Sequence, residues 1–126
     1  MIVTFEHNCA KYREKAINNA LVLAKDELMP HVRKLFINIK PMRNLAAKYG
    51  VCGDCMDEED REFTIRIDTS ISVDEMVTTI LHEMVHVKQA VFNENMDYSL
   101  PYDDRPHEIE AHALEKQLKE KFDARY

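Results

Sequence analysis

The segment Leu81–His86 carries two imidazoles and a carboxylate at a spacing that suits metal chemistry. It has the pattern His82-Glu83-x-x-His86. Residues four apart lie on one face of an α-helix, so both histidines can point toward a common metal ion. With His82 at zero, Glu83 lies about 100° and His86 about 40° round the helix. Two neutral imidazole nitrogens suit Zn²⁺, and Glu83 can act as general base toward water activated there.

A capped helix is predicted to carry this motif. Ser72 and Glu75 match the capping box, in which the serine accepts from an amide three residues on and the glutamate reaches back. The helix is expected to run to about Phe92. Its apolar stripe lies roughly opposite His82. The residues of this stripe are Val73, Met76, Val77, Ile80, Met84, Val87 and Val91. The metal-facing side is therefore separate from the side that anchors the helix.

Two segments before this helix are predicted to be strands. Residues 35–40 are β-branched and aromatic-rich and are expected to end at Pro41. Glu62–Asp68 alternates apolar and polar residues, the period of a half-buried strand. Residues 44–51 fit either a short helix or one arm of a hairpin.

The cysteine-containing segment between them is predicted to be a tight hairpin turn. Cys52 and Cys55 match half of a zinc or redox motif, but no second pair accompanies them. The acidic run at 57–60 is interpreted as a solvated loop tip.

Helices are also predicted at both ends of the chain. A scaffold helix is expected from about Cys9 to Met29, with Asn8 as its N-cap. A polar connection, residues 93–105, precedes the last helix, which is expected to be capped by Asp104 and to run to about Phe122. Its apolar seam comprises Ala111, Leu114, Leu118 and Phe122.

This last helix offers candidates for a third metal ligand. Catalytic zinc usually has three protein ligands and keeps one position for water. Glu108, Glu110 and His112 are the candidates. Glu108 and Glu110 each lie about 80° from the apolar seam, on opposite sides, so helical periodicity does not choose between them.

The two helical motifs together resemble those of gluzincin-type zinc metallopeptidases. The motifs are H-E-x-x-H at 82–86 and E-x-x-A-H at 108–112. The resemblance implies that His82, His86 and Glu108 bind zinc and that Glu83 is the general base. His112 stands where that group commonly has a hydrogen-bonding aspartate, which is a departure from the pattern.

The small size and the order of strand and active helix are similar to those of minigluzincins and SprT-like peptidases. This resemblance implies a single α+β zincin-like domain, residues 1–126, that cleaves polypeptides as a zinc endopeptidase. It also implies an edge strand that pairs with extended substrate, with Glu62–Asp68 in the sheet beside the cleft. The candidate donors to the oxyanion are Tyr98, Tyr102, His107 and His112, of which Tyr102 and His112 are ranked slightly ahead.

Composition limits the remaining function classes. The chain has 126 residues, a net charge of -6 and no apolar run of the about 20 residues that a membrane span needs. The acidic balance weighs against nucleic acid as the main partner. Three cysteines and the lack of an evident signal peptide favour a cytoplasmic setting.

A second hypothesis is a non-catalytic, zinc-stabilised domain. Such a domain would bind a protein or DNA-associated partner through its edge strand and cleft. Glu83 separates the two hypotheses, because a purely structural zinc site does not need a base beside an open coordination position.

Overall fold

The computed structural model describes all residues, Met1–Tyr126, as an α+β fold of four helices and a four-stranded mixed sheet. The elements in chain order are β1 Ile2–Phe5, α1 Lys11–Leu28, β2 Phe36–Met42, α2 Leu45–Tyr49, β3 Gly53–Glu59, β4 Glu62–Asp68, α3 Val73–Val91 and α4 Pro106–Arg125. A short 3₁₀ turn, Tyr102–Asp104, precedes α4. The predicted α+β class is confirmed, as is the span of β4.

The sheet has the strand order β1-β2-β4-β3, with β1 and β3 at its edges. β1, β2 and β4 are parallel, and β3 is antiparallel to β4. Alternate residues of β2 and β4 are buried against the helices, as the period of two requires. The main ones are Ile37, Ile39, Phe63, Ile65 and Ile67. The expected strand beside the cleft, β4, is thus an interior strand, and β3 is the edge.

The first strand was not among the predicted elements. Ile2–Phe5 is only four residues long and pairs with β2, which is more than thirty residues away in sequence. The N–H of Ile2 donates to the carbonyl of Leu35 at 2.9 Å, and that of Glu6 to Ile39 at 2.9 Å. A short strand stabilised by such a distant partner has little local signal.

The prediction that β2 ends at Pro41 is wrong. β2 continues to Met42, and Pro41 pairs with Ile67 of β4. The pairing of β1 with β2 stops at Phe5 and Ile39. No β1 residue therefore lies opposite Pro41 to accept a hydrogen bond from its N–H, which proline lacks. Such an edge-like position is one at which a strand tolerates proline.

The predicted turn at Cys52–Cys55 is also wrong. Residues from Gly53 onward form β3, and the hairpin turn is Asp60–Arg61, where Arg61 has a φ of 63°. Most of the acidic run therefore lies in the exposed end of an edge strand, not in a loop. Charged side chains at this end, Asp57–Glu59, discourage pairing of that end with other chains.

Gly53 allows β3 to approach the rest of the fold closely. A Cβ atom at this position would lie 2.7 Å from the carbonyl oxygen of Arg66 and 2.8 Å from Thr79 Cγ2 on α3. These separations are far below van der Waals contact, so a larger residue would push β3 away from α3.

The predicted helix caps have mixed outcomes. Ser72 caps α3, since its Oγ accepts from the Glu75 N–H at 3.1 Å. Asn8 and Asp104 do not cap helices: Ala10 and Arg105 occupy those positions without side-chain cap bonds. Asp104 belongs instead to the 3₁₀ turn. The ambiguous segment 44–51 contains the short helix α2.

Asp68 joins α2 to the end of β4, and its removal should weaken the fold. The carboxylate is 1% exposed and accepts from the N–H groups of Ala46 at 2.8 Å and Ser70 at 2.7 Å. We expect Asp68→Asn to cost about 1–3 kcal/mol of unfolding free energy at neutral pH, because one N–H in a part-buried hydrogen bond loses its acceptor. Urea unfolding would measure this loss. Asp26→Asn, an exposed change on α1, should stay within about 0.5 kcal/mol of wild type.

The contribution of Asp68 should depend on pH. Burial by itself would raise the pKa of Asp68, but the N–H groups of Ala46 and Ser70 outweigh it and hold the pKa below the ordinary value. A carboxyl with a lowered folded-state pKa stabilises the fold above its unfolded pKa, about 3.9, and loses that contribution as pH falls through the folded value. The difference in unfolding free energy between wild type and Asp68→Asn should therefore become smaller below about pH 4. A difference independent of pH would contradict this role.

Candidate metal centre

The motif helix α3 lies between β3 and the closing helix α4. α3 contacts α1, α4, β3 and β4, and it is buried on most of its circumference. Ala111 and Leu118 of α4 are buried in the same core. His82 and Glu83 are 9% and 7% exposed, so the motif lies in a recess and not on an open surface.

Three potential ligand atoms meet at one point between α3 and α4. His82 Nε2 and His86 Nε2 are 3.1 Å apart. Glu108 Oε1 lies 3.2 Å from His82 Nε2 and 3.0 Å from His86 Nε2. The structure thus brings together the two motif histidines and the first of the three candidate third ligands.

These three atoms fit the donor set of a metal ion. Two ligand atoms about 2.0–2.1 Å from a tetrahedral zinc are about 3.3 Å apart, close to the three separations here. Two imidazoles and one carboxylate also match a common ligand set of catalytic zinc sites. The pKa of His86 is lowered because burial disfavours its charged form. A neutral imidazole is the form that binds metal.

The carboxylate of Glu108 is held in its ionised form. Burial by itself would raise the pKa of Glu108, but the imidazoles of His86 and His82 and a hydrogen bond from Tyr102 lower it. Glu108 is 8% exposed. A buried anion facing two imidazole nitrogens is a favourable place for a cation.

Glu115 orients His82. Its Oε1 lies 3.0 Å from His82 Nδ1, which leaves Nε2 for the ligand cluster. Burial would lower the pKa of His82, but this hydrogen bond and nearby carboxylates raise it. Glu115 is not among the site residues predicted from the sequence. It lies seven residues after Glu108, two helical turns along the same face, and that spacing was the available signal.

Gln89 orients His86 and also binds Glu110, which explains why Glu110 does not face the ligand atoms. Gln89 is buried, and its Oε1 lies 2.8 Å from His86 Nδ1. Its Nε2 donates to the His107 carbonyl at 2.8 Å and to Glu110 Oε1 at 3.1 Å. Glu110 Oε1 also pairs with Lys88 Nζ at 3.0 Å. Glu110 therefore belongs to a hydrogen-bond network behind the histidines and does not face the ligand atoms. Like Glu115, Gln89 is not among the site residues predicted from the sequence.

Glu83 is buried beside the cluster without a neutralising partner. The pKa of its carboxyl is raised to about 7, mainly because burial disfavours the charged form, although His82 lowers it. A carboxyl with a pKa near neutrality can both take and give a proton at physiological pH. The predicted role of Glu83 as a general base stays a prediction.

Tyr102 and His112 lie on the open side of the same cluster. The Tyr102 hydroxyl is 3.2 Å from Glu108 Oε1 and 3.2 Å from His112 Nε2. Burial and the Glu108 carboxylate raise the pKa of Tyr102 to about 12, so the hydroxyl keeps its proton. Two further sets of ligand atoms lie within 4.8 Å of one another and could hold a metal ion: those of His82, Glu108 and His112, and those of His82, Glu83 and His86.

A cleft of about 430 Å³ opens onto these side chains. Its walls come from β3, α3 and the connection before α4. The lining residues are Val51, Gly53, Asp54, Cys55, Asp57, Phe63, His82, Glu83, His86, Ala90, Met96, Tyr98, Tyr102 and Glu108. Four carboxylates and no lysine or arginine are among them, so the cleft favours a bound cation.

Comparison with known proteins gave no relative. No family model matches the sequence, and neither a curated protein nor a solved structure matches it. None of the helices is both long enough and apolar enough to cross a membrane.

Proposed function

We propose that this protein is a zinc-dependent endopeptidase with a gluzincin-type, zincin-like fold, acting on polypeptides in the cytoplasm. The observation that carries the proposal is the convergence of His82 Nε2, His86 Nε2 and Glu108 Oε1 within 3.0–3.2 Å of one another. Glu83, buried at the same cleft, supports catalysis over a purely structural role.

The residues that would hold the zinc ion are His82, His86 and Glu108, and an ion with three such ligands would keep a position for water or substrate. Zinc bound there would lower the pKa of water and polarise a peptide carbonyl. Glu83 takes the proton as the water oxygen attacks the carbonyl carbon, and later delivers that proton to the leaving amine nitrogen. A carboxyl with a pKa of about 7 suits both steps.

Tyr102 is the proposed donor to the oxygen that becomes negatively charged during attack. Its protonated hydroxyl already lies 3.2 Å from Glu108 Oε1, at the border of the ligand cluster. His112 Nε2 is 3.2 Å from the same hydroxyl and can orient it. Hydrogen bonds aimed at developing charge are a major source of catalysis in a buried site.

The edge strand β3 is the proposed docking element for the substrate backbone. β3 has only β4 as a neighbour in the sheet, so its other edge has unpaired backbone groups. Residues of β3 line the cleft beside Glu83. An extended peptide can add to such an edge through main-chain hydrogen bonds, and side-chain selectivity is then loose.

The proposal is tested by metal content and hydrolysis together. Purified protein should contain one zinc ion per chain by elemental analysis and should cleave an unfolded protein such as reduced casein. A chelator should abolish cleavage, and added zinc should restore it. Stoichiometric zinc with no cleavage of any unfolded substrate would instead favour the non-catalytic binding domain.

Removal of Glu115 should weaken metal binding without removing a ligand. Glu115→Ala deletes the acceptor of His82 Nδ1, so the imidazole loses its fixed orientation. We expect a zinc affinity about 10- to 100-fold lower than that of wild type. Competition with a chromophoric chelator measures the change. Glu120→Ala, an exposed glutamate on the same helix, should leave the affinity unchanged.

A further inference from the structure

His107 is a buried histidine for which the proposed reaction has no role. It lies in the first turn of α4, directly before Glu108, and is 4% exposed. Both of its ring nitrogens are inaccessible to solvent, and neither has a hydrogen-bond partner. A buried polar group left without a partner costs about 1–3 kcal/mol. Packing alone would be served better by an apolar side chain.

The ring of His107 is held beside the metal ligands. Its centroid is 6.0 Å from that of His86 and 5.0 Å from that of Tyr98. Its backbone carbonyl accepts from Gln89 Nε2 at 2.8 Å. The network that orients His86 therefore also fixes the start of α4 and the position of this imidazole.

A charged atom close to the His107 ring is the second oxygen of Glu108. His107 Nε2 lies 3.8 Å from Glu108 Oε2. Glu108 Oε1 faces both motif histidines and Tyr102, whereas Oε2 accepts none of the hydrogen bonds of the cluster. A shift of less than about 1 Å would bring Nε2 into hydrogen-bond range of Oε2.

We propose that His107 is a positioning residue that holds Glu108 to a single ligand oxygen. An N–H on His107 Nε2 directs Oε2 away from the two histidines, so only Oε1 is presented to the metal. This keeps the remaining coordination position open for water and substrate, as a catalytic site requires. The inference rests on the proposed zinc function.

Two substitutions separate this role from a packing role. His107→Phe fills the ring volume but removes the N–H, whereas His107→Gln can place an amide N–H near the position of Nε2. Both proteins would be loaded with Co²⁺, whose visible absorption is stronger when it is four-coordinate than when it is five-coordinate. Chelator-treated samples would be unfolded by heat to measure the stability of the metal-free fold.

In His107→Phe we expect weaker cobalt absorption and a kcat about 10- to 100-fold lower, with KM little changed. The metal-free variant should be at least as stable as wild type, since two unpartnered nitrogens are removed. His107→Gln should restore the wild-type spectrum. An unchanged spectrum in His107→Phe, or a loss of metal-free stability as its only effect, would overturn the inference. Failure of wild type to bind Co²⁺ would instead overturn the proposed metal site.

Discussion

Glu83→Gln should lower peptide hydrolysis by about 10²- to 10⁴-fold while zinc content stays at that of wild type. The substitution keeps the volume of the side chain and removes only its ability to accept and deliver a proton. Glu83 makes none of the contacts between the three proposed ligand atoms. Cleavage of a fluorogenic casein and elemental analysis on the same sample would measure both quantities.

The control for this prediction is Glu75→Gln on the first turn of the same helix. Glu75 is exposed and does not line the cleft, so hydrolysis should be unchanged. Metal-free Glu83→Gln should also be no less stable than wild type, because burial raises the pKa of Glu83 and thus penalises its charged form. If zinc-loaded Glu83→Gln hydrolyses the substrate at the wild-type rate, Glu83 is not the general base.

Glu108→Ala should abolish stoichiometric zinc binding. The change removes the one oxygen that lies within 3.2 Å of both motif histidines. Zinc affinity should decrease by more than in Glu115→Ala, which removes only a hydrogen-bond partner of a ligand and is expected to cost about 10- to 100-fold. Chelator competition followed by elemental analysis of the purified variant measures it.

Glu110→Ala is the matched control, two residues along the same helix. Glu110 contacts Lys88 and Gln89 and not the ligand atoms, so zinc stoichiometry should be retained. A modest decrease in affinity is expected because Gln89 loses one of its acceptors behind His86. Retained zinc in Glu108→Ala with loss in Glu110→Ala would reverse the choice of third ligand.

The local parts of this fold were predictable from the sequence. The Ser72 cap, the stripe on α3 and the alternation in β4 depend on residues within a few positions of one another. The spacing of His82, Glu83 and His86 likewise determines that they share one side of a helix. Such features follow from backbone geometry and need no knowledge of what packs against them.

The edges of the sheet were not predictable in the same way. β1 is defined by pairing with a strand more than thirty residues away, and Pro41 is tolerated in β2 only because β1 ends early. The residues of β3 fit a tight turn at 52–55 and a solvated loop tip at 57–60, and glycine and acidic residues have little strand propensity. Pairing with β4 and the close approach at Gly53 override that local preference.

Residue spacing alone predicts a helix that presents two histidines and a glutamate, with three possible partners on the last helix. Which partner faces them depends on how α4 is rotated about its axis, and packing sets that rotation. Packing of Ala111 and Leu118 into the core turns one face of α4, with Glu108 and Glu115, toward α3. Glu110 lies to the side and binds Lys88 and Gln89. Helical periodicity places side chains relative to their own axis, but packing between helices places them relative to one another.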